Sequence, residues 1–162
     1  VPSIYEKGRN PLILVLDKVT DVRNFGAICR TAECAGVDTI LIPEQNSAAI
    51  NADAIKTSAG ALHNIPVCRT WNLKMSLQFL KDSGLQLVSC TEKTDKDIYT
   101  PNFTNPTAII MGSEEDGVSP EFLKMSDSKA KIPMYGKISS LNVSVASAII
   151  VYEAIRQRES LS

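Results

Sequence analysis

Three polar stretches contain the side chains of this chain that could carry out chemistry. They are NFGAICRT at residues 24–31, GSEEDG at 112–117 and SSLNVSVA at 139–146. Together they offer an arginine, carboxylates, amides and hydroxyls, which can hold a phosphate or orient a reacting hydroxyl. Each stretch follows a short apolar run that predicts a strand. We therefore expect all three at the strand ends of one α/β sheet, where they would form a composite site.

The polar residues of the first stretch permit two interpretations each. Asn24 is typical of a helix N-cap and Gly26 of a close packing contact, yet both also stand where site residues would. Arg30 lies in the predicted helix among apolar residues such as Ala27 and Ile28. It is either a salt-bridged surface arginine or a functional arginine that is directed at a phosphate or a reacting hydroxyl.

The second stretch resembles a phosphate-binding loop only in its glycines. It lacks the GK[ST] ending of a P-loop, and the carboxylates of Glu114, Glu115 and Asp116 would repel a phosphate. One interpretation is an acidic turn at the surface. The other is a loop that a neutral or cationic ligand approaches through the main chain at Gly112, while Glu114 orients a catalytic group.

The third stretch begins the predicted C-terminal helix. Ser140 or Asn142 would cap that helix, but a cap requires only one such residue. Four polar residues occur within six positions, and Leu141 between them could present its backbone to a ligand. The third stretch therefore favours a binding role beside the capping role. The four polar residues are Ser139, Ser140, Asn142 and Ser144.

The elements that must position these stretches alternate between strand and helix. This alternation is typical of a single α/β domain with a mostly parallel sheet and helices on both faces. In the last predicted helix, the apolar positions 145, 148, 149, 152 and 155 keep helical spacing. The predicted strands are 12–16, 39–43, a short one near 67, 85–90, 107–112 and 130–134; the predicted helices begin near Asn24, around 48, before 76, at Ser119-Pro120 with Ser119 as N-cap, and near 141.

Composition and charge exclude several classes of protein. The 162 residues carry a net charge of −1, so an RNA partner would need a local basic patch or a second module. The four cysteines show no CxxC spacing and His63 is the only histidine, which argues against a metal site. We expect Cys29, Cys34 and Cys90 to be buried free thiols, in a reducing, cytoplasmic compartment. No apolar run is long enough to predict a membrane span.

Three further side chains are open to a structural or a functional interpretation. His63 is predicted to be a structural residue. Trp71 and Tyr99 could stack on RNA bases, but isolated aromatic residues more often pack in a core.

In this order, the three stretches resemble the motifs of the SpoU branch of the SPOUT RNA methyltransferases, which are AdoMet-dependent 2′-O-ribose methyltransferases. The resemblance extends from about residue 12 to residue 158. It is greatest to the subgroup that methylates a guanosine ribose in large-subunit (23S) rRNA, and the tRNA-modifying subgroup is second. The matching residues are Asn24, Gly26 and Arg30 in the first motif, Gly112, Glu114 and Gly117 in the second, and Ser140, Leu141, Asn142 and Ser144 in the third.

The resemblance implies a fold and an assembly that the pattern of elements does not predict. The family has an α/β knot, in which the C-terminal segment passes through a loop and forms a deep trefoil. Threaded chains of this kind are very rare among folds in general. The family also implies a homodimer whose sites are completed across the interface. Residues 1–10 would be a linker from an N-terminal RNA-binding domain, and 11–162 the catalytic domain.

The resemblance also implies which residues carry the reaction. S-adenosyl-L-methionine would be the methyl donor and RNA the acceptor, without a metal. Arg30 would hold phosphate and help activate the ribose hydroxyl, while its neighbours in the motifs orient it and the ribose. The implied catalytic residues are Asn24, Arg30, Glu114, Asn142 and Ser144, and the implied cofactor-binding residues are Met111, Gly112, Gly117, Ile132, Met134, Ser140, Leu141 and Asn142.

Two other functions compete with this one. The first is an RNA-binding module of the same fold that no longer catalyses methyl transfer, although Arg30, Glu114 and Asn142 are all present. The second is an unrelated nucleotide-binding α/β enzyme. The absence of a G-x-G-x-x-G motif and of a P-loop argues against it.

Overall fold

The computed structural model of the chain describes residues 1–161, and residue 162 lies outside the described residues. Strands and helices alternate along the chain, as the sequence predicts, except that a loop without a helix joins the fourth strand to the fifth. The strands are β1 (Leu12–Asp17), β2 (Thr39–Pro43), β3 (Val67–Thr70), β4 (Gln86–Cys90), β5 (Thr107–Gly112) and β6 (Ser128–Ala130). The helices are α1 (Pro2–Glu6), α2 (Val22–Ala35), α3 (Ala52–Thr57), α4 (Leu73–Asp82), α5 (Pro120–Met125) and α6 (Val143–Glu159), with a 3₁₀ turn at Ala61–His63.

The six strands form one sheet in the order β3-β2-β1-β5-β4-β6. Every strand pair is parallel, so all carboxyl ends lie along one edge. β1 and β5 are central and are buried along nearly their whole length, because helices cover both sheet faces. This arrangement explains why both strands are continuous apolar runs in the sequence rather than alternating ones.

Each face of the sheet has its own apolar core. On one face, α2, α3 and α6 pack over Leu14, Ile40 and Ile109. On the other, α4 and α5 pack over Val15 and Ile110. Neighbouring residues on a strand thus contribute to opposite cores, as the pleat of a strand requires.

Arg158 joins the end of α6 to the opposite, amino-terminal edge of the sheet. Its guanidinium donates to the carbonyls of Asn10, Pro11, Phe103 and Asn105 at 2.7–3.0 Å. Burial lowers the pKa of this arginine from its usual value. Because four carbonyls from two loops share one cation, Arg158 holds the starts of β1 and β5 against α6.

The structure corrects some element boundaries. The last strand is Ser128–Ala130 rather than 130–134, since only those three residues pair with β4. α3 begins at Ala52 instead of near 48. Residues 2–6 form the short helix α1, which lies in the segment predicted to be a linker. Ser119 stands at the N-cap of α5 but makes no capping bond with its side chain, and its N–H donates instead to the Asp17 carboxylate at 2.7 Å.

Burial differs from the expectation for two groups of residues. Cys29 is buried as predicted and Cys90 is partly buried, but Cys34 and Cys68 are exposed, so the prediction that Cys34 is buried is wrong. Along α6 the side chains of Val145, Ile149 and Tyr152 are 36–48% exposed. α6 is apolar around much of its circumference, and only one side packs on the core.

None of the helices within residues 1–161 is long and apolar enough to cross a membrane.

Candidate active site

The three polar stretches meet at the carboxyl edge of the sheet, as the sequence predicts. The first lies in α2, which follows β1, and the second begins at the last residue of β5. The third leads into α6, which packs against α2. Residues that are far apart in the sequence thus become neighbours, because β1 and β5 are adjacent in the sheet.

Asn142 is the centre of the contacts between the first and third stretches. Its side-chain NH₂ donates to the side-chain oxygen of Asn24 at 3.0 Å. Its own side-chain oxygen accepts from the backbone N–H of Ser144 at 2.9 Å and from the Ser144 hydroxyl. Asn142 is therefore the N-cap of α6, as one of the two interpretations expected, and also a bridge to α2.

Glu114 joins the second stretch to the same helix end. Its carboxylate accepts from the backbone N–H of Val143 at 3.0 Å. The first N–H groups of a helix lack partners within the helix, and a carboxylate there also interacts favourably with the helix dipole. Glu114 is thereby held beside Asn142 although it is exposed.

Asn24 does not cap α2. The cap is Asp21, whose carboxylate accepts from the Asn24 N–H at 2.9 Å, and α2 begins at Val22. The Asn24 side chain is thus available for Asn142. Gly26 is a close packing contact, because an added Cβ would lie 2.7 Å from the Thr57 side chain and 2.8 Å from the Ala54 carbonyl.

Arg30 makes no hydrogen bond or ion pair with the other motif residues in the described part of the chain. It lies six residues beyond Asn24 on α2 and is exposed. Among residues 1–161 the structure records no hydrogen bond or ion pair for it. The interpretation of Arg30 as a salt-bridged surface arginine is therefore not supported. Four of the five predicted catalytic residues are therefore brought together within one protomer, and Arg30 stands apart from them on the same helix as Asn24.

The two glycines of GSEEDG close the loop on itself. A Cβ at Gly112 would lie 2.1 Å from the carbonyl carbon of Gly117, and the N–H of Gly117 donates to the Ser113 carbonyl at 2.8 Å. Gly117 has a φ of 68°, which favours glycine. Contact with the loop's own backbone, rather than the approach of a ligand, is thus the observed reason for Gly112.

A cavity of about 440 Å³, which we call the first cavity, opens beside this loop. Seven of the eight predicted cofactor-binding residues line it, and Asn142 is the exception. The residues that the sequence analysis missed come mainly from the end of β4 and the segment after it, and Lys131 follows β6; their only signal was their position at or near the end of a strand. The matching lining residues are Met111, Gly112, Gly117, Ile132, Met134, Ser140 and Leu141; those missed include Cys90, Thr91, Glu92, Lys93 and Lys131.

The first cavity is rich in carboxylates. Glu92, Glu114, Glu115 and Asp116 line it, against two lysines. Burial, with a smaller contribution from Glu92, raises the pKa of the Cys90 thiol to about 12, so this thiol is neutral at physiological pH. The lining therefore suits a ligand with positive charge and an apolar part. Among residues 1–161, no three histidine, cysteine or acidic side chains are grouped as metal ligands.

A second cavity of about 410 Å³ lies on the other side of the GSEEDG loop. Asn24 and Glu114 both line it, together with Lys18 and Asn46 from the segments that follow β1 and β2. Residues 113–116 and Val143 line both cavities. Two ligands could therefore lie on either side of one loop, with Asn24 and Glu114 facing the second of them.

The chain is similar to curated relatives over nearly its whole length. It is 42% identical over 158 residues to the 23S rRNA (guanosine-2'-O-)-methyltransferase RlmB of Vibrio parahaemolyticus. The matched region covers 98% of this chain and 64% of the relative. Identity to RlmB of Escherichia coli K12 is 37% over 158 residues, with 98% of this chain and 65% of the relative covered. The chain thus spans about two thirds of the length of these relatives, slightly less in both cases.

Solved structures show the same architecture. The SpoU methyltransferase AviRb from Streptomyces viridochromogenes, solved in complex with the cofactor AdoMet, superposes with a TM-score of 0.87 at 29% identity, covering 94% of this chain and 62% of that one. The A. aeolicus TrmH/SpoU tRNA modifying enzyme superposes with a TM-score of 0.85 at 36% identity, covering 94% and 78%. A sequence model of the SpoU rRNA Methylase family matches residues 11–152. This chain belongs to the SpoU rRNA Methylase family.

Proposed function

We propose that this chain catalyses AdoMet-dependent 2′-O-methylation of a guanosine ribose in 23S rRNA, in the cytoplasm. The observation that carries the proposal is the group formed by Asn24, Glu114, Asn142 and Ser144 between two adjoining cavities. The similarity to RlmB proteins supports the choice of 23S rRNA and of guanosine. We further propose the α/β knot of this family for the chain.

The first cavity fits S-adenosyl-L-methionine by its chemistry. Its four carboxylates suit the positive charges of that molecule, and Met111, Ile132 and Leu141 offer an apolar surface. Gly112, Gly117, Met134 and Ser140 complete the set of residues that would hold the cofactor. When bound, this cofactor supplies a methyl group that its sulfonium has already activated.

The second cavity is where we place the acceptor nucleotide. A ribose 2′-hydroxyl is a weak nucleophile and must be positioned and polarised. Asn24 and Glu114 line this cavity and can hydrogen-bond to a hydroxyl there. Asn142 holds Asn24 in place, and Ser144 fixes the Asn142 amide, so the two act by positioning.

Arg30 would complete the site in a homodimer. The exposed residues Val145, Ile149 and Tyr152 follow helical spacing on α6, which packs against the helix that carries Arg30. Exposed apolar stripes of this kind mark protein interfaces. We propose that a second copy covers this stripe and that Arg30, next to the interface, then holds the RNA phosphate. An arginine keeps its proton, so its contribution is positioning and charge.

A tRNA ribose is the second candidate substrate. It is favoured by the similarity to the A. aeolicus tRNA modifying enzyme, of which this chain covers 78%. Residues 1–10 as a linker from an RNA-binding domain stay a prediction. Such a domain would decide between the two RNAs, because the net charge of −1 gives the chain no general affinity for nucleic acid.

Calorimetric titration with AdoMet tests the proposal first. We expect about one site per protomer with micromolar affinity. Ser140→Phe should abolish the heat, because Ser140 is exposed and lines the first cavity, whereas Ser160→Phe at the end of α6 should not. Methyl transfer to 23S rRNA and to tRNA transcripts follows. A folded protein that binds neither AdoMet nor S-adenosylhomocysteine would contradict the proposal and favour a non-catalytic RNA-binding module.

A further inference from the structure

Trp71 is the only tryptophan of the chain and is not packed in a core. It directly follows β3, and 76% of its surface is exposed. Large aromatic side chains usually bury most of their surface, so exposure to this degree needs a reason. Neither the site nor the proposed dimer stripe includes this residue.

The backbone around Trp71 is firmly held. The Thr70 carbonyl accepts from the N–H of Glu44 at 2.8 Å, and the Thr70 hydroxyl accepts from Ser76 at 2.7 Å. On the other side, Asn72 caps α4 by accepting from the N–H of Met75 at 3.0 Å. The exposed ring therefore stands on a fixed backbone, which lowers the entropy that is lost when a partner binds.

Trp71 lies on the same sheet edge as the site. Thr70 pairs with Pro43, and Asp17 pairs with Gly112. Continuing the β1–β2 register by two residues aligns Pro43 with Asp17, so these four residues form one row across the sheet. At about 4.8 Å per strand, Thr70 lies roughly 14 Å from Gly112. A stacked strand advances about 3.4 Å per nucleotide, so this distance is about four nucleotides.

The surroundings favour a nucleic acid over an apolar partner. Exposed Arg69 and Lys74 flank Trp71 in the sequence, and Glu44, whose N–H donates to Thr70, carries a carboxylate. The loop that begins at Glu44 continues to Asn46, which lines the second cavity. This loop thus connects the proposed acceptor cavity to the end of β3, which Trp71 follows.

We propose that Trp71 stacks on a base of the RNA strand that flanks the methylated nucleotide. This inference rests on the proposed function. Base–aromatic stacking suits this place because it needs only an exposed π-face and a base that is not paired. Trp71 would hold the strand in register, so it acts as a positioning residue for the acceptor ribose.

Intrinsic fluorescence tests the proposal directly, because the emission of the single tryptophan reports on Trp71 alone. We expect saturable quenching of the tryptophan emission by oligoadenylate and by a 23S rRNA transcript. AdoMet should not quench this emission to a comparable degree. Trp71→Ala should weaken RNA binding about 5- to 150-fold, the range for loss of one stacked base, and raise KM with little change in kcat. Trp71→Phe should restore most of the affinity. Phe79→Ala is the matched control, because Phe79 is 58% exposed and lies near the other end of α4.

The outcomes separate this inference from the proposed function. Methyl transfer without quenching, or with unchanged RNA affinity in Trp71→Ala, overturns the inference and leaves the function standing. Quenching by RNA without any methyl transfer supports base stacking by Trp71 but contradicts the function, and with it the placement of Trp71 beside a methylated nucleotide. If Trp71→Ala leaves RNA affinity unchanged but sediments differently from the wild-type protein, the residue contacts protein and the inference is wrong.

Discussion

The Asn142 side-chain NH₂ donates to the Asn24 side-chain oxygen at 3.0 Å, across a separation of 118 residues. This bond joins the helix after the first strand to the N-terminus of the last helix. The same Asn142 caps that last helix through its oxygen. One side chain therefore caps a helix and bridges two of the polar stretches at once, and substitutions can separate the two.

Substitutions at Asn142 and Asn24 should separate stability from activity. Asn142→Ala removes the cap and the bridge, so we expect a loss of about 1 kcal/mol in the free energy of unfolding together with loss of methyl transfer. Asn142→Ser keeps a good cap but is too short for the bridge, so it should retain stability and lose activity. Asn24→Ala should resemble Asn142→Ser. Urea denaturation and methyl-transfer assays measure both effects, and an active Asn142→Ser variant would exclude the bridge from the site.

Removal of Arg30 should affect catalysis and not cofactor binding. Arg30 does not line the first cavity, so Arg30→Ala should bind AdoMet with nearly wild-type affinity. Methyl transfer should fall by about 100- to 1,000-fold, as is typical when one charge-stabilising donor is lost. Lys124→Ala, which removes an exposed cation from α5, is the control. Equal activity of Arg30→Ala and wild type would remove Arg30 from the catalytic group.

A charge in the exposed stripe of α6 should break the proposed homodimer. Tyr152 is 48% exposed, so Tyr152→Asp leaves the core intact but places a carboxylate in the interface. We expect a monomer by sedimentation velocity and loss of methyl transfer with a retained helical circular-dichroism spectrum. Phe79→Asp, on the other face of the sheet, should remain dimeric. A dimeric Tyr152→Asp variant would place the interface elsewhere.

The four thiols should differ in reactivity. At neutral pH a maleimide should label Cys34 and Cys68, which are exposed, faster than Cys90, which is partly buried, while Cys29 should react only after unfolding. Burial raises the pKa values of Cys29 and Cys90 from 9.0 to about 12. Mass spectrometry of tryptic peptides identifies the labelled residues. Rapid labelling of Cys29 in the folded protein would contradict the described packing of α2.

The same two pKa values give a direction for stability against pH. The folded pKa is raised, so the neutral thiols contribute stability that is fully present below pH 9 and is lost as the pH rises towards 12. Urea midpoints measured upward from pH 8 should therefore fall. Cys29→Ala should reduce this slope, whereas Cys34→Ser should leave it unchanged.

Local residue pattern determined the strands and the places where the site would lie. β2 and β5 have the predicted bounds, because strands that are buried on both faces must be continuous apolar runs. The three polar stretches follow from the same reasoning, since chemistry in an open parallel sheet collects at the carboxyl ends of strands. Capping of α6 by Asn142 was one of two interpretations that local preference allowed.

Only the tertiary structure decided which polar groups are partners and which apolar groups are exposed. Asn24 has the residue type of a helix cap, yet Asp21 takes that place and leaves Asn24 for Asn142. Tyr152 keeps the helical spacing of a core residue and lies on the surface. Trp71 is a residue type that usually packs in a core, yet it is exposed. Each outcome depends on which elements lie side by side, and the sequence neighbours of a residue do not contain that information.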